Sequence, residues 1–291
     1  MFFAIIEIFS YAVEYKQAKI YSYESDKSIF DNLILSQEEN LKILSNVLTL
    51  DENVKKAFRD NDPEIIKQHV APIWEKTRQD HLVFEIHFFR PPAISFVNFS
   101  NFESIGVDAS DVRTDILWIT ASFKPSYHAL MRKSYAGYRA TIPIIDSDGT
   151  MLGGLSIGKT MDWIPTSIKE RTKCDSFLIY VKSSTNSLMP EYYNAFVQDK
   201  EIVGDYVLAN QTRKLNPNLL NEIDFSSKSQ DVVIDDKKYL LNLYPIMDFN
   251  KNVLAYACEL DDMDGFFTKF YKTLLYNAAL IFITATSIFI F

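Results

Sequence analysis

The first 62 residues contain neither proline nor glycine, and this absence constrains the fold more than any other feature of the chain. Proline first occurs at Pro63 and glycine at Gly106. Because these residues are the strongest helix breakers, such a stretch can sustain one very long helix. We therefore predict a helical stalk over residues 20–80, interrupted at "DNDP" and resuming at residue 63, where Asn61 or Asp62 would cap the second piece.

Six positions within this stalk follow the spacing of a helix seam. They step by four and three residues in turn, and they are Phe30, Ile34, Gln37, Leu41, Leu44 and Leu48. Two interpretations are open. The seam packs against the helix's own domain, or it joins two protomers and the polar Gln37 fixes their register. In the second case, ligand binding would shift the helices at a dimer interface.

Composition excludes several classes of function. The net charge of −8 argues against binding to nucleic acid. The four histidines form no metal-binding motif, and the chain has no nucleophile elbow or phosphate loop. We therefore predict no metal, no cofactor and no catalytic residues. The two cysteines, Cys174 and Cys258, are too few for a disulfide scaffold, although one bridge between them remains open in an oxidising compartment.

Both ends of the chain are apolar. Residues 273–291, "TLLYNAALIFITATSIFIF", run 19 residues without a charge, which is the length of a membrane-spanning helix. Residues 1–19 begin with "MFFAIIEIFSYAVEY", which lacks the basic start and cleavage site of a signal peptide. We interpret it as a truncated first transmembrane helix, so that the chain is a fragment with one span at each end.

From residue 81 the pattern changes to short strands and turns. Pro91 and Pro92 separate "HLVFEIHFF" from "AISFVNF" and predict a hairpin, because proline cannot donate to a sheet ladder. A helical "RTDILWITASF" follows, and then the strands "AGYRATIPII" and "MLGGLSIGKTM" flank the turn "DSDG". A similar order recurs in "CDSFLIYV", a helical "PEYYNAFVQ", "DVVID", "KYLLNLYPIM" and "VLAYACELDD".

The predicted fold class is therefore α+β. A long N-terminal helix carries two modules with antiparallel sheets, residues 81–165 and 166–264, and an exit helix with a transmembrane segment follows over 265–291.

Several of these segments resemble the double Cache family of extracytoplasmic sensory domains, in the branch that begins with a long helix. The carrying stretches are "NDPEIIKQHVAPIWEKTRQDHLVFEIHFFRPPAISFVNF", "IGVDASDVR" and "YAGYRATIPIIDSDGTMLGGLSIG". The matching positions are Pro91, Pro92, Ser95, Phe96, Gly106, Asp108 and Arg113. The chain departs from the family at Asn98, where members often carry a basic residue.

The resemblance implies two PAS-like modules, of which the membrane-distal one usually binds the ligand. It implies a transmembrane receptor, of the chemotaxis or sensor-kinase type, with its sensory region in the periplasm and an output module beyond the inner membrane. We expect a small-molecule ligand such as a carboxylate or an amino acid, and we expect a homodimer if the seam of the stalk joins two protomers. In a PAS-like sheet the first and last strands are neighbours, so the strands that carry Cys174 and Cys258 would lie side by side.

A pocket of this type needs apolar walls and a few polar groups that orient the ligand. The predicted ligand-binding residues are Arg139, Tyr138, Arg113, His87, Ser95, Asn98, Trp118, Tyr127 and Tyr135. Strand alternation places Arg139 on one face with Thr141, and it places Ser95 and Asn98 on opposite faces. Arg139 is a candidate carboxylate clamp, because its planar fork suits bidentate binding.

Structural alternatives stand beside these roles. Arg139 would pair with an acidic neighbour on the outer sheet surface, Arg113 would pair with Asp108 or Asp111, and His87 would be a hydrogen-bonded strand residue. The three tyrosines would be ordinary core residues. For the whole chain, the alternatives to a sensor are a membrane-anchored enzyme and a dimerisation module without a ligand.

Overall fold

The computed structural model of the protein describes residues 2–80, 83–132, 135–183, 194, 196–265, 268 and 271–279. Side chains are described from residue 9 onward, apart from those of residues 80, 132 and 135. Three helices come first: α1 (Phe2–Thr49), α2 (Glu52–Asp60) and α3 (Pro63–Asp80). Asp62 accepts a hydrogen bond from the backbone N–H of Glu64 at 3.0 Å, so the predicted cap of α3 is confirmed. The sequence did not predict the break before α2, where Asp51 caps the new helix.

The first sheet is built from β1 (Val83–Arg90), β2 (Ile94–Asn98), β3 (Ser126–Arg132), β4 (Tyr135–Ile145) and β5 (Met151–Thr160). Its strand order is β2-β1-β5-β4-β3 and all pairs are antiparallel. Both predicted hairpins are confirmed. The helices α1, α2 and α3 cover one face of this sheet, and α4 (Thr114–Ser122) covers the other. At Gly154 an added Cβ would lie 2.9 Å from Ile119 Cδ1, so glycine lets α4 approach β5 closely.

The second sheet follows the connecting helix α5 (Trp163–Thr172). Its strands are β6 (Asp175–Val181), β7 (Glu201–Val203), β8 (Tyr206–Gln211), β9 (Ser229–Ile234), β10 (Lys237–Met247) and β11 (Val253–Asp262), in the order β7-β8-β6-β11-β10-β9. The predicted antiparallel pairing of β6 with β11 is confirmed. The sequence missed β7 and β8, and most of the predicted helix "PEYYNAFVQ" lies outside the described residues.

The two cysteines are free thiols. Cys258 pairs across the sheet with Phe177, three residues beyond Cys174, while the Cys174 thiol lies 4.0 Å from Asp261 Oδ1. The register of β6 against β11 therefore separates the two sulfur atoms, although their strands are neighbours.

The seam of α1 packs against the protein's own sheets. Phe30, Leu41 and Leu48 are 6%, 3% and 1% exposed and belong to the core cluster under the first and second sheets. Gln37 Oε1 accepts a hydrogen bond from Lys159 Nζ at 2.7 Å. The first interpretation of the seam is confirmed, and the dimer seam with Gln37 as its register residue is wrong, because these side chains already have partners within the chain.

No helix within the described ranges is long and apolar enough to cross a membrane. Residues 271–279 are helical, whereas residues 280–291, which make up most of the predicted C-terminal span, lie outside the described part.

Candidate ligand site

The face of the first sheet that lies under α4 is buried but polar. Strand alternation places Glu85 and His87 of β1, Arg139 and Thr141 of β4, and Ser156 of β5 on this face, and adjacent strands hold them side by side. Arg113, immediately before α4, and Asp115 in its first turn complete the set from above. We call this set the polar layer; its members, all buried, are Glu85, His87, Ser95, Asn98, Arg113, Asp115, His128, Arg139, Thr141 and Ser156.

Two buried ion pairs form the centre of the polar layer. Arg113 donates from Nε and Nη2 to the two carboxylate oxygens of Asp115, both at 2.8 Å, and Nη2 also donates to Ser156 Oγ at 2.9 Å. Thr141 donates to Asp115 Oδ2 at 2.7 Å. Arg139 pairs with Glu85. The bidentate contact of Arg113 with Asp115 is the geometry that planar guanidinium groups favour with carboxylates, so it holds Arg113 in a fixed orientation.

A β-bulge brings the hairpin of β1 and β2 into the layer. The register shifts between Phe88 and Phe89, so Phe96 is an extra residue on β2. As a result Ser95 and Asn98 lie on the same face, and the prediction of opposite faces is wrong. His87 Nε2 lies 2.8 Å from Ser95 Oγ, and Asn98 Nδ2 donates to Ser104 Oγ at 3.2 Å.

The charges in the layer cancel. Burial alone would raise the pKa values of Glu85 and Asp115, but the adjacent Arg139 and Arg113 guanidinium groups hold them well below their usual range. Burial lowers the pKa of His87 to about 4, and it lowers that of His128 to about 4 as well. At neutral pH the layer therefore holds two cations, two anions and two neutral imidazoles.

The low pKa values of these two histidines predict that the protein loses stability in acid. In the unfolded chain His87 binds a proton near pH 6.5, whereas in the folded chain its pKa is about 4. Neutral His87 therefore contributes about 3 kcal/mol to the free energy of unfolding above pH 6.5. This contribution is lost as the pH falls toward 4. We expect the free energy of unfolding of His87→Gln, measured in urea at pH 7 and pH 4.5, to fall less than that of the wild type. An equal fall in the free energy of unfolding of both proteins, or a His87 pKa near 6.5 in an NMR titration, would contradict this prediction.

The predicted site residues divide into two groups. Arg139, Arg113, His87, Ser95 and Asn98 come together in the polar layer. The alternatives for the two arginines are wrong in detail: Arg139 pairs with Glu85 on the buried face and not on the outer surface, and Arg113 pairs with Asp115. Asp108 instead accepts hydrogen bonds from Ser110, and the structure gives Asp111 no contact with Arg113.

The other predicted residues lie away from the layer. Tyr138 is on the α1 face of the sheet and donates a hydrogen bond to Glu38. Trp118 is on the outer side of α4 and 39% exposed. Both residues line, together with Tyr127, a cleft beside the edge strand β3. Tyr135 is the first residue of β4, and its side chain lies outside those described.

Sequence reasoning missed Glu85, Asp115, His128 and Ser156. Glu85 had a usable signal, because it stands two residues before His87 on the same strand and must share its face. Ser156 pairs with both His87 and Thr141 across β5, which no single-strand pattern predicts.

The equivalent region of the second sheet is apolar. Phe177, Leu208, Leu241, Leu243 and Cys258 on its strands pack against residues such as Leu219 and Leu220 of a short helix, Pro217–Asn221. Among the described residues of the second sheet, the buried polar side chains of Ser176, Asn242 and Glu259 lie on the opposite face. The two modules thus share an architecture but differ in what fills the corresponding space.

A long helix that carries two antiparallel α+β modules in succession, with a polar layer buried in the first, defines a two-module sensory fold. The chain belongs to the dCache_3 family, the double sensory domain of two-component sensor kinase, whose family model matches residues 21–258. The resemblance inferred from the sequence is therefore confirmed, and the chain is a sensory domain of this family.

The chain is similar to solved sensor and ligand-binding domains. The sensor domain of the Vibrio cholerae histidine kinase DctB is 11% identical, with a TM-score of 0.52, over 84% of this chain and 98% of that one. The ligand-binding domain of the Pseudomonas fluorescens chemoreceptor CtaA, solved with L-isoleucine, is 12% identical, with a TM-score of 0.48, over 89% and 98% of the two chains. No curated protein has a sequence that matches this one.

Proposed function

We propose that this sensory domain binds a small zwitterionic molecule of the amino-acid type in the polar layer, between the first sheet and α4. The observation that carries the proposal is the contrast between the two modules. The space under the second sheet is filled by apolar side chains, as a stable core requires, whereas the same space in the first holds two ion pairs and two histidines. Buried charges of this kind contribute little to stability compared with apolar packing, and they mark functional sites when they cluster.

The charge balance of the layer favours a zwitterion. Since Arg113, Arg139, Asp115 and Glu85 sum to zero, a ligand with one positive and one negative group can exchange partners with them and leave no unbalanced buried charge. A simple anion or cation would leave one. One donor is already free for an acceptor: Arg113 Nη1 is buried and has no hydrogen-bond partner among the described atoms. A ligand carboxylate at Nη1 would satisfy it.

The proposed role is binding without chemical turnover. General acid–base catalysis at neutral pH needs a group whose pKa is near 7. In the polar layer both carboxylates are bound to guanidinium groups, and both imidazoles have pKa values of about 4. None of them is poised for proton transfer.

We also propose that the domain is extracytoplasmic and anchored in the inner membrane, with the apolar segments at residues 1–19 and 273–291 as its anchors. Its output module would be a histidine kinase or a chemotaxis signalling domain. A homodimer would form through the exposed side of α1, where Leu35, Ile43 and Val47 are 54%, 63% and 57% exposed.

Thermal unfolding of the full chain tests the ligand class. Each of the twenty amino acids is compared with the acid that lacks its amino group, for example L-valine with 3-methylbutanoate. We expect at least one amino acid to stabilise the protein, by about 2.7 kcal/mol at a concentration one hundred times its Kd, and its deaminated analogue to have little effect. Equal stabilisation by the acid would contradict the zwitterion, and no response to any amino acid would favour a dimerisation module without a ligand.

A further inference from the structure

A cavity lies outside the polar layer, at the junction of the two modules. It has a volume of about 720 Å³, which is within the range of small-molecule sites. One wall is α1, from Phe30 to Glu38. The opposite wall is the start of β3 together with Trp118 of α4, and the end is closed by the turn between β10 and β11. We call this cavity the junction cleft.

The turn of the second module is attached to the first module at this point. Asp248 forms a parallel β-bridge with Ala129 of β3. The ring of Phe249 lies between two residues of the first module, with centroid distances of 6.2 Å to Trp118 and 5.1 Å to His128. Asp248 and Asn252 close the turn with a backbone hydrogen bond of 2.9 Å. The cleft is therefore bounded by ordered contacts between the two modules.

The lining includes aromatic rings and carboxylates beside aliphatic side chains. Trp118, Tyr127 and Phe249 supply rings, and Glu38 projects from α1 to accept the hydrogen bond of Tyr138. Burial, followed by the charges of Glu38 and Glu39, raises the pKa of Tyr127. Within the described residues Glu38 has no ion pair with a lysine or arginine, and Lys251 is the only basic residue of the lining apart from the neutral His128.

We propose that the junction cleft binds a small organic ammonium cation, with Glu38 as its counter-ion and the rings of Trp118, Tyr127 and Phe249 as its walls. A cation over an aromatic face is attracted by the ring quadrupole, and a carboxylate without a cationic partner adds a Coulomb attraction. The bound cation would contact α1, the first module and the turn of the second module together. It would therefore stabilise one arrangement of the two modules, independently of a ligand in the polar layer.

Choline serves as the probe, and 3,3-dimethylbutan-1-ol, which has the same shape without the charge, is its matched control. Calorimetric titration of the full chain is expected to give heat with choline and little with the alcohol. Glu38→Gln keeps an acceptor for the Tyr138 hydroxyl but removes the charge, and it should weaken choline binding about tenfold or more. Glu39→Gln makes the same change on the neighbouring residue, which pairs with Lys42 outside the cleft, and should have an effect of about twofold or less.

Three outcomes would overturn the proposal: equal binding of the alcohol, an unchanged choline affinity in Glu38→Gln, or equal losses in both variants. Binding of choline in the polar layer would be a fourth, and the pair of substitutions Glu85→Leu and Arg139→Met detects it. This double variant should keep its choline affinity if the junction cleft is the site. It should lose any response to amino acids if they bind in the polar layer. The double variant therefore tests the two proposed sites separately.

Discussion

Arg139→Met is expected to lower the free energy of unfolding by about 3–5 kcal/mol, because it removes the guanidinium group that balances the buried charge of Glu85. Arg139 and Glu85 are 2% and 4% exposed, so water cannot replace the lost partner. Urea unfolding of the full chain measures this loss. Arg78→Met is the matched control: Arg78 pairs with Glu75 on the surface of α3, both side chains are more than half exposed, and its loss should cost less than about 1 kcal/mol.

Adding Glu85→Leu to Arg139→Met separates the structural role of this pair from its ligand role. With both charges replaced by apolar groups of similar size, most of the lost stability should return. The amino-acid response, however, should stay absent, because the polar partners of the ligand are gone. A double variant that regains stability and still responds to amino acids would show that the ligand binds elsewhere. A single variant as stable as the wild type would contradict the buried ion pair itself.

Leu41→Asp is expected to lower the free energy of unfolding by about 4 kcal/mol or more, since it removes a buried side chain and places a charge in the core. Leu41 is 3% exposed and packs within the cluster that joins α1 to the sheets. Ile43→Asp makes the same type of change two residues later, at a position that is 63% exposed, and should alter stability by about 0.5 kcal/mol or less.

Sedimentation of the same two variants measures self-association and so tests whether the seam is an internal core or a dimer interface. If the exposed side of α1 carries self-association, Ile43→Asp should weaken it without loss of fold. Should Leu41→Asp abolish self-association while leaving the free energy of unfolding of the monomer intact, the seam would be a dimer interface after all, and the packing described above would be wrong.

The sequence alone determined the long first helix and the alternation of side chains along β4. A stretch without proline or glycine propagates a helix through local hydrogen bonds, so α1 was predictable, whereas α3 contains Pro72 and was predicted from the cap at Asp62. The DSDG turn indicates a hairpin, and Gly149 adopts a φ of +88° that few other residues tolerate. Alternation along β4 correctly placed Arg139 with Thr141, since side chains on a strand point to opposite faces in turn. These features depend on neighbours within a few residues.

Only the tertiary structure decided which residues meet. The partner of Arg139 is Glu85, 54 residues away, and that pairing depends on β5 lying between β1 and β4. The direction of the α1 seam likewise depended on the sheets that bury it, because the same spacing serves an internal core and a dimer equally well. The β-bulge after Phe88 reversed the face of Ser95, since one extra residue on a strand shifts every following side chain. The polar face of the first sheet and the apolar face of the second could be compared only when the folded chain showed that they occupy equivalent positions.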